Sequence, residues 1–295
     1  MADPEVFERA RPRLLGVAYR MLGTVADAED IVQEAWLRWQ SSEVTPERPD
    51  AWLTTVTARL ALDLLRSAQH RRERYTGPWL PEPVTTEPEP DEMAIRAESL
   101  TLGFFAVLES LSPLERAVFL LADVFAVPYA QIAPTVDRSE VACRQIASRA
   151  RRRLRAARPP RGDTQATAPP SEAQWRLVDT FTTALATGDV TGALRCLAPD
   201  SVLVSDGGAQ RHAARRPVVG PDRIVRFLGN LTKRFVGAYE VAPAVLNGWP
   251  GLVFRAAGVP DLAAAFDVAD SGVRGIYLMN NPDKLRHLDA TWPVE

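Results

Sequence analysis

Five residues between positions 144 and 152 carry the most specific chemistry in this sequence. Arg144, Gln145, Ser148, Arg149 and Arg152 recur at helical spacing. Guanidinium, amide and hydroxyl groups on one helix face are what reading base edges in a DNA major groove requires. They lie in a block from Arg138 to Arg161 that holds nine basic residues against one acid, Glu140. Such a block is the electrostatic footprint of a nucleic-acid surface; taken alone, it also describes a solvated basic helix end. Arg151, Arg152 and Arg153 add candidates for phosphate contacts, which position a protein without specifying sequence. Asp206 and His212 are the one candidate acid/base pair. Asp206, however, stands in Asp206-Gly207-Gly208, a turn where aspartate is common for backbone reasons, and His212 belongs to the basic run Arg211 to Arg216. Two cysteines, Cys143 and Cys196, make no disulfide framework. Three scattered histidines, His70, His212 and His287, make no metal site. No cofactor, metal or catalytic residue is expected.

The helices that would position the reading face are marked by their caps. Ser112-Pro113-Leu114-Glu115 has an N-cap serine, proline at N1 and glutamate at N3. A short helix from Tyr129 to Thr135 follows. Val136, Asp137 and Arg138 make a turn, and Ser139 caps a longer helix to about Ala156. This is helix-turn-helix spacing. On the last helix Cys143, Ala147, Ala150 and Leu154 form an inward stripe, which turns the polar set outward. Upstream, a helix from about Ala26 to Gln40 carries Ile31, Val32, Ala35, Trp36 and Trp39 on one face and Asp27, Glu29 and Asp30 in its first turns. A third helix after Asp50 holds Trp52, Leu53, Val56, Leu60, Leu64 and Leu65 and ends in Arg66, His70, Arg71, Arg72 and Arg74.

Length and composition fit this division. The chain has 295 residues, 46% hydrophobic and 24% charged, with a formal net charge of -2, which suggests about two globular domains and excludes disordered and disulfide-stapled classes. No run approaches a membrane span, and the acidic start lacks the form of a signal peptide, so a cytoplasmic protein with no membrane partner is expected. Residues 1–75 read as helical. Residues 76–95 are a proline-rich acidic linker. Residues 96–158 are helical again, residues 159–171 are a flexible linker, and residues 172–295 are α+β. In that last segment Trp175, Val178, Phe181 and Leu185 mark a helix ending near Gly188. Val202 to Val204 is a short strand, and Gly220-Pro221-Asp222 opens a second helix. Strand-like runs follow near Tyr239–Leu246, Leu252–Ala257, Leu262–Val268 and Val273–Met279, with turn signals at Asn247-Gly248 and Asp270-Ser271-Gly272.

These residues resemble a known family. Asp27-Ala28-Glu29-Asp30-Ile31-Val32-Gln33-Glu34-Ala35-Trp36 is similar to the polymerase-binding helix of bacterial sigma factors. Trp52 to Arg72 resembles their promoter-melting and downstream-element helix, and Tyr129 to Leu154 their upstream-element helix-turn-helix. Regions 2 and 4 joined by a linker alone resemble an extracytoplasmic-function sigma factor. Trp79-Leu80-Pro81-Glu82-Pro83, Asp206-Gly207-Gly208 and Asn281-Pro282-Asp283-Lys284-Leu285 resemble the linker and C-terminal motifs of the subgroup with a SnoaL-like extension. Where that pattern continues with glycine and lysine, this chain has Ala209-Gln210.

The resemblance implies a multidomain fold: an all-α region 2 bundle, an all-α region 4 helix-turn-helix, and a cone-shaped α+β SnoaL-like domain. It implies an alternative sigma factor that binds core RNA polymerase through the beta-prime clamp and beta flap. Asp30, Gln33 and Glu34 would meet the polymerase. Arg59, Arg66, His70 and Arg71 would face the -10 element, and Arg144, Gln145, Ser148, Arg149 and Arg152 the -35 element of promoter DNA. The C-terminal domain would modulate activity in cis, with Lys284 reaching the acidic linker or nearby carboxylates. Fold analogy adds a small-molecule ligand in its pocket. The alternative is a helix-turn-helix regulator whose C-terminal domain binds a small effector.

Overall fold

The computed structural model describes residues 3–42, 46–72, 75, 77–85, 101–157, 169–235 and 239–288. The chain forms two compact units. One is built from Met1–Arg74 and Phe105–Pro159, the other from Tyr75–Phe104 and Pro160–Trp292. The expected linker at 159–171 lies mostly outside the described residues, as do positions 86–100.

In the first unit α1 (Pro4–Leu22) starts on Asp3, whose side chain accepts from Glu5 N at 2.9 Å. The helix stops at Gly23, in the left-handed region. α2 (Val25–Gln40) and α3 (Pro49–Arg72) complete a bundle. Ala28, Ile31, Val32, Ala35 and Trp39 on α2 recur at three- and four-residue steps and are all buried, the apolar stripe an amphipathic helix needs. Leu14, Tyr19 and Met21 of α1 and Leu53, Leu62 and Leu65 of α3 are buried as well.

α4 (Leu102–Leu108) and α5 (Pro113–Phe119) follow. α5 has the full capping box: Ser112 Oγ accepts from Glu115 N, and Glu115 accepts from Ser112 N at 3.0 Å. Residues Leu120–Val124 then widen into a π-helical turn, so that Phe125 N bonds Leu120 O five residues back. α6 (Tyr129–Val136) and α7 (Glu140–Ala157) are joined by a turn in which Asp137 takes φ 54°. Ser139 Oγ caps α7 at Ala142 N. Cys143, Ile146, Ala147, Ala150 and Leu154 face inward.

An arginine sits at the centre of this unit. Arg116 on α5 is 3% exposed. Its guanidinium donates to Met21 O at 3.1 Å, to Leu108 O at 2.9 Å and to Glu109 Oε1 at 2.6 Å. It thereby satisfies carbonyls near the C-terminal ends of α1 and α4, where the helix leaves acceptors unpaired and cations are favoured.

The second unit begins with α8 (Glu172–Thr187) and α9 (Val190–Cys196). β1 (Leu197–Asp206), β2 (Val218–Val219), α10 (Pro221–Phe235), β3 (Glu240–Leu246), β4 (Trp249–Ala256), β5 (Val259–Ala269) and β6 (Gly272–Met279) follow. The sheet order is β2-β1-β6-β5-β4-β3. All neighbours are antiparallel except β1 and β6, which run parallel. The expected antiparallel meander is therefore a mixed sheet. The expected three-residue strand is instead ten residues long: Pro199 and Asp200, at an irregularity in the β1–β6 register, break the alternation and hide its first half in the sequence. One sheet face is covered by the helices through Phe181, Ile224, Leu228, Phe266 and Ile276. The other face presents Trp249, Val253, Ala263, Ala265 and Met279, and it is covered by Leu80 and Leu102 of the linker segment and by Leu285 and Leu288.

Candidate nucleic-acid interface and linker anchor

α7 puts Arg144, Gln145, Ser148, Arg149 and Arg152 on one exposed face. Burial of Cys143, Ala147 and Ala150 fixes that orientation, and burial pushes the Cys143 thiol pKa up. Arg144 is partly spent internally: it pairs with Glu140 at 2.8 Å and lies over the Tyr129 ring at 5.4 Å. Two of the candidate phosphate contacts also make ion pairs within the unit. Arg151 makes a two-pronged bond to Asp123, at 2.7 and 2.6 Å, and reaches Tyr129 Oη at 3.2 Å. These contacts, the Asp123 bonds first, hold its pKa above the usual arginine value. Arg153 bonds Glu115 at 2.7 Å. Both arginines thus tie α7 back to the segment before α6, leaving the polar face to the other five.

On α2, Asp30 and Gln33 are exposed and Glu34 is half-buried, bonded to Arg38 at 2.9 Å. Trp36 is half-buried, 4.8 Å from the Phe7 ring. On α3, Arg59 is exposed and donates to Pro134 O of α6 at 2.8 Å, while Arg66 pairs with Asp63 at 3.4 Å. The side chains of His70 and Arg71 lie outside the described residues.

In the second unit the motif residues converge on one buried carboxylate. Asp206, at the end of β1, is 1% exposed. Oδ1 accepts from Tyr75 Oη at 2.5 Å and Gly208 N at 3.0 Å. Oδ2 accepts from Leu80 N at 2.8 Å and Lys284 Nζ at 2.7 Å. Lys284 Nζ also donates to Leu80 O and lies 4.1 Å from the Trp79 ring centroid and 5.1 Å from that of Tyr75. One lysine and one aspartate thus satisfy both backbone polar groups of Leu80, whose side chain enters the second core. Burial first, and then donation to Asp206, raise the Tyr75 pKa, so the phenol remains a donor. Asn281 Nδ2 donates to Tyr75 Oη at 3.0 Å, and its Oδ1 starts the 3-10 turn Pro282–Lys284. Gly208 has φ 60°, and a Cβ there would lie 2.7 Å from Asn281 Nδ2, so only glycine fits. Gln210, where the family pattern has lysine, reaches Asp283 at 3.4 Å. Pro81, Glu82 and Pro83 are buried, and Val84 exchanges hydrogen bonds with Asn247 at 3.1 and 2.9 Å.

The acid/base pair is not assembled. Four donors occupy Asp206, whereas the His212 side chain is exposed. The sequence reading missed Tyr75 and Arg116, and it read Asn247 as a turn residue without its bonds to Val84. Tyr75 carries no motif of its own, and a buried arginine reads as a surface one.

A three-helix bundle, a helix-turn-helix with a polar α7 face and a mixed-sheet unit that holds the linker define the class: a sigma-type transcription factor. Residues 6–71 match the family Sigma-70 region 2, and residues 104–154 match Sigma-70, region 4. The chain is 42% identical over 291 residues to the ECF RNA polymerase sigma factor SigJ of Mycobacterium tuberculosis, covering 94% of this chain and 91% of that one. It is 34% identical over 279 residues to the probable ECF sigma factor SigI of the same species, with 92% and 86% covered. The crystal structure of M. tuberculosis SigJ superposes with a TM-score of 0.74 at 38% identity, over 96% of this chain and 98% of that one. The chain belongs to the extracytoplasmic-function sigma factors of RNA polymerase. It is an alternative sigma factor for transcription initiation, binding core RNA polymerase and promoter DNA. A region 2 match has no place in a simple helix-turn-helix regulator, so that alternative falls away.

Proposed function

We propose that the SnoaL-like unit modulates this sigma factor in cis by holding the segment that joins region 2 to region 4. The observation that carries this reading is the Leu80 clamp. Asp206 and Lys284 fix the Leu80 backbone while the side chain completes the sheet's second core, so the state of the linker and the state of the C-terminal unit are linked. Asp30, Gln33 and Glu34 meet the beta-prime clamp of core polymerase, and region 4 meets the beta flap. Arg59, Arg66, His70 and Arg71 engage the -10 element. Arg144, Gln145, Ser148, Arg149 and Arg152 engage the -35 element. The protein has no catalytic chemistry of its own and works in the cytoplasm beside the polymerase. A small-molecule ligand seated between the helices and the sheet would have to displace Phe181, Ile224 or Phe266, which are buried there, whereas the open cleft beside Trp175, Arg176 and Pro243 could take one without that displacement.

The test has two parts. Full-length chain should bind sigma-free core polymerase, and Asp30→Ala/Glu34→Ala should weaken that binding. The full-length pair Lys284→Met/Asp206→Asn should change open-complex yield on promoter DNA while polymerase binding persists. An unchanged yield would refute cis modulation through the clamp.

A further inference from the structure

The reading face of α7 begins one turn earlier than the charged and amide residues mark. Val141 is 62% exposed, among the most exposed large apolar side chains of the described residues. It stands at i relative to Gln145, Ser148 and Arg152 at i+4, i+7 and i+11. The inward residues Cys143, Ala147, Ala150 and Leu154 keep the same intervals two positions later. Val141 is thus the first member of the outward stripe, in the N-terminal turn that recognition helices direct at base edges. In that turn Arg144 shares its charge with Glu140 and lies over the Tyr129 ring, and Val141 adds an apolar group to the same face. Packing gives valine no purpose at this position, and helix propensity favours other residues.

We propose that Val141 is a specificity-determining residue that reads a thymine 5-methyl group in the -35 element. The methyl of thymine is the one apolar feature of base edges in the major groove. A valine held in few rotamers offers it two methyl groups. Gln145, one turn on, has the side chain that pairs bidentately with adenine. The four residues from Val141 to Gln145 advance about 6 Å and a base step about 3.4 Å, so the methyl lies one or two base pairs from the base that Gln145 reads. This inference rests on the sigma reading and on α7 as its -35 helix.

The experiment uses full-length protein with core RNA polymerase and a promoter selected from a pool randomised across the -35 region. Each thymine of that element is then replaced singly by deoxyuridine, which lacks only the methyl group. At one position the replacement should weaken holoenzyme binding about fourfold, the effect of one buried methyl group. The Val141→Ala holoenzyme should bind thymine and uracil there equally. Val141→Thr, which keeps a γ-methyl group, should restore part of the difference. If no replacement affects wild type, or if Val141→Ala keeps the same loss, the assignment to Val141 is wrong. Arg149→Ala separates the two failures: if it leaves -35 selection unaltered, α7 is not the reader and the larger assignment falls with this one.

Discussion

At the scale of single residues, two buried carboxylates face opposite electrostatic problems. Asp206 has a donor for every acceptor direction, including a full positive charge on Lys284. Removing that charge strands the carboxylate in a dry site, so Lys284→Met is expected to destabilise the second unit by about 3–5 kcal/mol. The double variant with Asp206→Asn should lose much less, and urea unfolding measures both. Asp267 on β5 is less well served. Arg274 bonds its Oδ2 at 2.8 and 3.0 Å, and Oδ1 is buried without a partner among the described residues. Burial raises its pKa above the ordinary value of 3.8, with Arg274 opposing the shift. Between those two values the native state holds a proton that the unfolded chain has lost, so this group adds stability as pH falls through its raised pKa. Ordinary paired carboxylates behave in the opposite sense. Asp267→Asn should remove this acid-side gain, as unfolding at a series of pH values would record. Lys284 was legible as a contact-making residue from its motif. The identity of its partner was not, because Asp206 lies 78 residues away.

Elements differ in how plainly they are written. α5 and α7 were legible because the Ser112–Glu115 capping box and the Cys143–Leu154 stripe are local signals with fixed spacing. The π-helical turn at Leu120–Val124 has no such signal, since a five-residue bond leaves the apolar pattern helical. The parallel pairing of β1 with β6 joins residues more than 70 apart, beyond what alternation encodes. Trp79 to Val84 reads only as part of a proline-rich linker, because its order comes from Asp206, Lys284 and Asn247. On α7 the division of labour is itself testable. Gln145→Ala or Arg149→Ala should cost about 1–3 kcal/mol on the selected promoter and little on unrelated duplex. Arg152→Ala should weaken all duplexes alike and lower the salt slope by about one. Arg151→Ala should instead lower the melting temperature of the first unit, because its bonds go to Asp123. Filter binding across salt concentrations, with thermal unfolding alongside, distinguishes these outcomes.

For the whole molecule, chain order and structural order disagree. The chain leaves the first unit at Tyr75, lends Tyr75–Phe104 to the second, returns at Phe105 and departs again at Pro160. Composition separated a linker from its flanks but gave no hint that Leu80 and Leu102 complete a core whose other members begin at Leu246. A chain ended at residue 171 should therefore bind hydrophobic dyes and transcribe differently from full-length protein. Equal open-complex yield and equal polymerase affinity for the two would refute the regulatory role. The Leu80 clamp also sets a schedule during synthesis. Its backbone partners lie 126 and 204 residues downstream, so a ribosome moving at about 5–20 residues per second reaches Lys284 roughly 10–40 s after Leu80. Both promoter-reading regions are complete before the lysine that holds their connector exists. Under cis modulation, a freshly made molecule passes through an interval without its restraint, and the activity of a pool would depend on the age of its members.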